Sequence, residues 1–96
     1  MNAGYIVYIL RCSDGSLYTG ITNDPAKRLA AHNAGTGAKY TRPRRPVEMV
    51  YAERAEDRSA ASKREAEIKS FPREKKLALI ESDGNAVREI LSPRQA

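Results

Sequence analysis

Residues Tyr5 to His32 read YIVYILRCSDGSLYTGITNDPAKRLAAH, and this stretch decides the fold. Tyr5 to Arg11 is dense in β-branched and aromatic residues, with apolar side chains on both faces, which predicts a buried strand. Ser13-Asp14-Gly15-Ser16 is turn chemistry, with Gly15 free to take positive φ. Leu17 to Ile21 then predicts a second strand, antiparallel to the first. Gly20 interrupts it, marking a bulge or a close approach by another backbone or a ligand. Asp24-Pro25 starts a helix, with Asp24 as N-cap and Pro25 at the first helical position. That helix is expected to run to about Asn33 and to end at Gly35. Arg28 and His32 are four apart and therefore share a face. Tyr8, Tyr18, Arg28 and His32 form a set suited to attack on a phosphodiester, provided a carboxylate joins them from elsewhere. Glu65 is the best candidate.

Downstream, Gly35 to Pro46 (GTGAKYTRPRRP) is the most loop-like segment. It carries Lys39, Arg42, Arg44 and Arg45 around Tyr40, a composition that suits a phosphate backbone with an exposed base to stack on. The plain alternative is a solvated connection, but a loop this long in so small a chain usually has a function. Val47 to Arg54 predicts a third strand with Val47, Met49 and Tyr51 on one face. Asp57 or Ser59 caps a helix reaching about Phe71, with Ala61, Ile68 and Phe71 as its apolar stripe. Glu65 falls at the edge of that stripe, where a carboxylate is costly unless paired or ligating. Its plain alternative is a surface pair with Lys69. Pro72 to Ser82 predicts a further helix, Ser82 to Asn85 a turn, and Ala86 to Leu91 a last short helix. Pro93 onward reads as a frayed, disordered tail.

Composition sets the bounds. Ninety-six residues make a single domain, expected over 1–92. With no tryptophan and one phenylalanine, the core must come from Ile, Leu, Val, Ala and the five tyrosines. Seventeen basic against twelve acidic residues give a formal charge of +5, which suits a polyanion partner. The single cysteine, Cys12, excludes an intramolecular disulfide and a Cys-based zinc site. The apolar run around Ile6 to Leu10 is far too short to span a membrane, and a cytoplasmic location is the default expectation. The fold class expected is α+β: a three-stranded, mainly antiparallel sheet flanked by three or more helices.

These residues together resemble the GIY-YIG nuclease superfamily, and look most like its short single-domain bacterial members. The first half-motif stands as Ile6-Val7-Tyr8 and the second as Tyr18-Thr19-Gly20. Arg28-x-x-x-His32 follows at the family's spacing, and Glu65-x-x-Ile68-Lys69 matches the helix that carries its metal-binding Glu. The first half-motif departs from the pattern at Ile6, where the family has Gly, and at Val7, where it has Ile. The family's late Asn has its candidate in Asn85. Gly37 to Thr41 is similar to a loop of structure-selective members that resolve branched DNA.

The resemblance implies a divalent-metal-dependent endonuclease acting on DNA, selective for DNA shape, in repair or recombination. It implies that Glu65 holds one ion, Mg²⁺ or Mn²⁺, and that Arg28 clamps a non-bridging phosphate oxygen. Tyr8, or failing it Tyr18, would be the general base, which requires a tyrosine pKa shifted down from ~10. His32 would relay the proton or bind phosphate. Gly20, Lys39, Tyr40, Arg42, Arg44 and Arg45 are the expected nucleic-acid contacts, positioning DNA without reading its sequence. For Tyr8 and Tyr18 the plain alternative is core packing with a satisfied hydroxyl; Tyr5 and Tyr51 are expected to be just that. A chain this small leaves specificity to DNA shape or to a protein partner. Two other functions fit the fold: a non-catalytic nucleic-acid-binding module, and a structural or protein-interaction domain in which +5 serves only solubility.

Overall fold

The computed structural model describes residues 4–92. The tail expected at 93–96 lies outside the described residues. Strands β1 (Tyr5–Arg11), β2 (Leu17–Thr22) and β3 (Glu48–Ala55) form one sheet in the order β2-β1-β3, both pairings antiparallel. Helices α1 (Pro25–Ala34), α2 (Arg58–Lys69), α3 (Arg73–Ile80) and α4 (Val87–Leu91) cover its two faces, and a short 3₁₀ turn spans Arg42–Arg44. The expected architecture is the observed one.

β1 is central, which is why it reads apolar on both sides. Its even positions, Tyr8 and Leu10, join Met49, Ala52 and Cys12 under Leu29 of α1 and the Val87, Ile90 and Leu91 side chains of α4. Its odd positions, Val7 and Ile9, join Tyr51 under Ala61 and Ile68 of α2, with Phe71, Leu79 and Ile80 around them. Each fully buried Ile, Leu or Val of this kind contributes about 1.5–3 kcal/mol. The helix ends follow local chemistry. Asp24 Oδ1 accepts from Lys27 N at 3.2 Å, Asp57 Oδ1 accepts from Ala60 N at 2.8 Å, and Gly35 closes α1 at φ 88°.

One expectation fails on β3. Ile9 pairs with Tyr51 but Leu10 pairs with Met49, so Val50 is an extra residue in the ladder. This bulge breaks the period-two alternation. Val47 and Met49 stay with the Tyr8 face, and Tyr51 turns to the opposite face beside Val7 and Ile9. Asn85 is tied to the bulge. Its Nδ2 donates to Val50 O at 2.8 Å and Ile80 O at 2.7 Å, and its Oδ1 accepts from Val87 N at 3.0 Å and Ala52 N at 3.3 Å. All four hydrogen-bonding capacities of the amide are used there. Asn85, the candidate for the family's late Asn, therefore fastens the outer edge of β3 to the chain after α3.

Candidate active site

Tyr8 and Tyr18 both face α1, two positions apart along the paired strands: Tyr8 sits opposite Gly20, and Tyr18 opposite Leu10. The Tyr8 ring lies across Gly20. A Cβ built on Gly20 would stand 2.5 Å from the Tyr8 hydroxyl and 2.7 Å from Cζ, so the glycine is required by a close approach, as its place in the strand suggested. The hydroxyl then reaches His32 Nε2 at 3.0 Å. Tyr8 is 1% exposed and His32 is fully buried. The Tyr18 ring meets the other side of this pair edge-on, with its centroid 5.5 Å from that of His32.

The other ring nitrogen fixes the protonation pattern. His32 Nδ1 lies 2.8 Å from Thr41 Oγ1, and Thr41 itself donates to Ala38 O at 3.1 Å. With its single proton spent on that carbonyl, Thr41 accepts from His32 Nδ1–H. Nε2 is then bare and takes the Tyr8 O–H. Burial, with the Arg28 guanidinium close by, pushes the His32 pKa below its ordinary 6.5, so the imidazole is neutral at neutral pH. Burial pushes the Tyr8 hydroxyl above its ordinary 10.0. Arg28 opposes that rise by hydrogen bonding and charge, and Tyr18 and Glu65 reinforce it. The downward shift expected for Tyr8 is thus reversed, because the loss of water outweighs the nearby cation.

Glu65 comes from α2, on the opposite face of the sheet, yet its charge is felt at Tyr8. Its side chain is 24% exposed, and Oε2 takes the Lys69 ammonium at 3.2 Å. The surface pair foreseen as the plain alternative is therefore present. Among the described residues no group of three or more His, Cys, Asp or Glu side chains could form a protein cage for a metal.

The basic loop is folded back on the site. Asn33 clamps Val47, donating from Nδ2 to its carbonyl at 3.0 Å and accepting its N–H at 2.7 Å, which draws the loop's two ends together. Arg44 donates to Asp14 Oδ2 at 3.0 Å and Tyr40 O at 2.8 Å, and its guanidinium lies 3.9 Å from the Tyr40 ring centroid. Arg45 donates to Arg42 O at 2.8 Å and Asn33 O at 3.3 Å. These two arginines act as internal struts. Lys39 and Arg42 are exposed, with no side-chain partner among the described residues. Tyr40 is 39% exposed, and its ring is already engaged, stacked on Tyr18 at 6.0 Å and 18°.

Two residues of this arrangement had no assigned role in the sequence reading. Thr41 is fully buried and orients His32. Gly37 packs so tightly on His32 that a Cβ there would stand 2.8 Å from the histidine Cα and closer still to Nδ1. Neither carries a periodic or compositional signal. The loop's likeness to one in known relatives was the only pointer to them.

The model of the GIY-YIG catalytic domain matches residues 4–78. A UPF0213 protein of Staphylococcus saprophyticus is 57% identical over 76 residues, covering 79% of this chain and 93% of the relative. A Staphylococcus aureus UPF0213 protein is 58% identical over the same shares. The solution structure of a UPF0213 protein from Bacillus halodurans is similar at a TM-score of 0.55 and 36% identity, covering 97% of this chain and 99% of that one. A solution structure from E. faecalis reaches 0.58 and 39%, covering 99% and 96%. With its half-motif tyrosines, Arg28, His32 and Glu65 gathered at one edge of the sheet, and a family match over most of its length, the chain belongs to the GIY-YIG nuclease superfamily.

Proposed function

We propose that this protein is an endonuclease that hydrolyses DNA phosphodiester bonds with one divalent ion, through a Tyr8–His32 proton relay. The observation that carries the reading is the 3.0 Å contact between the Tyr8 hydroxyl and a bare His32 Nε2. A water attacking phosphorus must lose a proton. Tyr8 receives it on oxygen while passing its own proton to His32. The phenolate, which burial disfavours, never has to form. Neutral His32 is ready to accept, and Thr41 keeps it in the tautomer that can. Arg28, beside Tyr8, clamps a non-bridging oxygen with its planar fork.

Glu65 fits a hard cation. It is one partly exposed carboxylate with a cation already on one oxygen, and it leaves most of a shell to water and phosphate, as Mg²⁺ and Mn²⁺ tolerate. Bound there, such an ion supplies positive charge to the phosphate and to the departing 3′ oxygen. The Gly37–Thr41 loop is physically part of the site, through Thr41 on His32 and Tyr40 on Tyr18. That favours selection by DNA shape, as in repair or recombination, with a protein partner adding specificity in the cytoplasm. No described helix is long and apolar enough to cross a membrane.

The test is a cleavage assay on single-stranded, duplex, flapped and four-way-junction DNA with Mg²⁺, Mn²⁺ or EDTA. Metal-dependent cutting is expected, and Glu65→Ala should abolish it while leaving fold and DNA binding intact. Unchanged cutting in that variant would remove the metal assignment. Tight, salt-sensitive binding without cutting would point to the non-catalytic module.

A further inference from the structure

Beyond the Tyr18 ring, away from His32, a cavity of about 270 Å³ opens between Leu17, Tyr18, Thr19, Tyr40, Lys69 and Lys76. Its chemistry is specific. The stacked rings of Tyr18 and Tyr40 form an aromatic wall. Lys69 of α2 and Lys76 of α3 complete its lining. Lys69 is held by Glu65 at 3.2 Å. Lys76 is half-buried and has no acceptor among the described residues. An ammonium without a protein partner beside an apolar wall is placed to take a bound anion.

The position is as informative as the composition. β2 runs from Leu17 to Thr22 with Gly20, and Tyr8 above it, in its middle. The aromatic cavity lies at the Leu17 end. At the Thr22 end a second cleft is lined by Asn23, Asp24, Lys27 and Arg28, with two cations to one carboxylate. Two cationic clefts thus flank the Tyr8–His32 pair along one strand edge, a length of about 17 Å at ~3.4 Å per residue. Of the cations expected to grip DNA, Arg44 and Arg45 are tied to internal acceptors, so Lys76 joins Lys39 and Arg42 as a charge without a side-chain partner among the described residues.

We propose that this cavity binds the nucleotide adjoining the scissile phosphate, Lys76 gripping its phosphate and the Tyr18–Tyr40 wall receiving its sugar or base. The proposal rests on the nuclease reading above and names how that site holds its substrate on one side. An aromatic wall beside a cation binds single-stranded nucleic acid without selecting sequence. Lys76 adds one counterion-releasing phosphate contact.

The test is fluorescence anisotropy with a labelled single-stranded DNA oligonucleotide in EDTA, over a series of KCl concentrations. Wild type, Lys76→Gln, Lys76→Arg and Arg28→Ala are compared, with far-UV circular dichroism confirming the fold. Lys76→Gln should weaken binding about tenfold at low salt and reduce the slope of log K against log salt by about one. Lys76→Arg should restore both. If Lys76→Gln binds with wild-type affinity and slope while Arg28→Ala loses affinity, the cavity proposal falls and the nuclease reading stands. If the wild type binds no single-stranded DNA at low salt, the cavity proposal falls, and cleavage of the duplex, flapped and junction substrates decides the nuclease reading.

Discussion

Gly20→Ala tests the geometry most severely with the smallest chemical change. A Cβ at that position would meet the Tyr8 hydroxyl at 2.5 Å and Cζ at 2.7 Å, whereas ordinary carbon contacts begin near 3.4 Å. Relief requires a shift of about 1 Å. Tyr8 is 1% exposed and packed against Leu10, Met49 and Ala52, so the ring has nowhere to go without disturbing the core. Overpacking of this kind costs about 1–3 kcal/mol. The same shift would stretch the 3.0 Å bond to His32 beyond hydrogen-bonding range and leave the buried His32 Nε2 without its donor, at about 1–3 kcal/mol more. The total, about 2–6 kcal/mol, is a large part of the stability of a small domain. At 4–8 °C per kcal/mol the midpoint of thermal unfolding should fall by at least about 8 °C. Displacement of a relay atom by about 1 Å should slow cleavage about a hundredfold. Thermal and urea unfolding measure the first effect, and single-turnover cleavage the second. Adding Tyr8→Phe removes the nearest clashing atom, so the double variant should recover part of the stability and none of the activity. A Gly20→Ala protein with wild-type midpoint and rate would refute the close approach and the relay built on it.

Three further outcomes follow from the same arrangement. Thr41→Val removes the acceptor of His32 Nδ1–H, and should cost about 1–3 kcal/mol in urea unfolding and slow cleavage between about tenfold and a hundredfold, less than loss of a general base itself (about 10²–10⁴). The Tyr51 hydroxyl donates to Glu53, which Arg64 also holds at 2.8 and 3.1 Å, and burial first, then Glu53, pushes its pKa up to about 12 from 10.0. The native state therefore keeps this proton where the unfolded chain loses it, and stability should fall as pH rises from 10 to about 12, by up to roughly 3 kcal/mol; in Tyr51→Phe that part of the decline should vanish from denaturant curves taken across this range. Asn85→Ala strips two carbonyls and two N–H groups of partners at the β3 bulge, and hydrogen exchange should show the Ala52 and Val87 amides losing protection while cleavage survives.

What the sequence disclosed depended on how local the cause was. β1, the turn at Gly15, the Asp24 and Asp57 caps and the Gly35 stop are decided by neighbours within one turn or one strand, and all were legible. The bulge at Val50 was not. It is held by Asn85, thirty-five residues away, and a strict alternation put Tyr51 on the wrong face. The cationic loop shows the same limit. Its composition is plain, but Arg44 and Arg45 find acceptors at Asp14, Tyr40 and Asn33 that only the folded chain brings near. Tyr8, Gly20, Arg28 and His32 come together because their spacing on strand and helix sets them on one face. Thr41 and Lys76 act through tertiary placement, and neither was read as a site residue.

The direction of the Tyr8 shift separates two chemistries that the residues alone leave equivalent. A tyrosine acting as phenolate would gain activity with each unit of alkaline pH. A buried tyrosine passing its proton to a neutral histidine needs only that the histidine be unprotonated. The deciding measurement is the pH dependence of the single-turnover cleavage rate, on the DNA that is cut best, at saturating Mg²⁺. With His32 held below its ordinary 6.5 and Tyr8 above 10.0, the rate should fall on an acid limb below 6.5 and stay flat from there towards 10. A rate that climbs steadily through the alkaline range, or no cleavage at any pH, would contradict the relay.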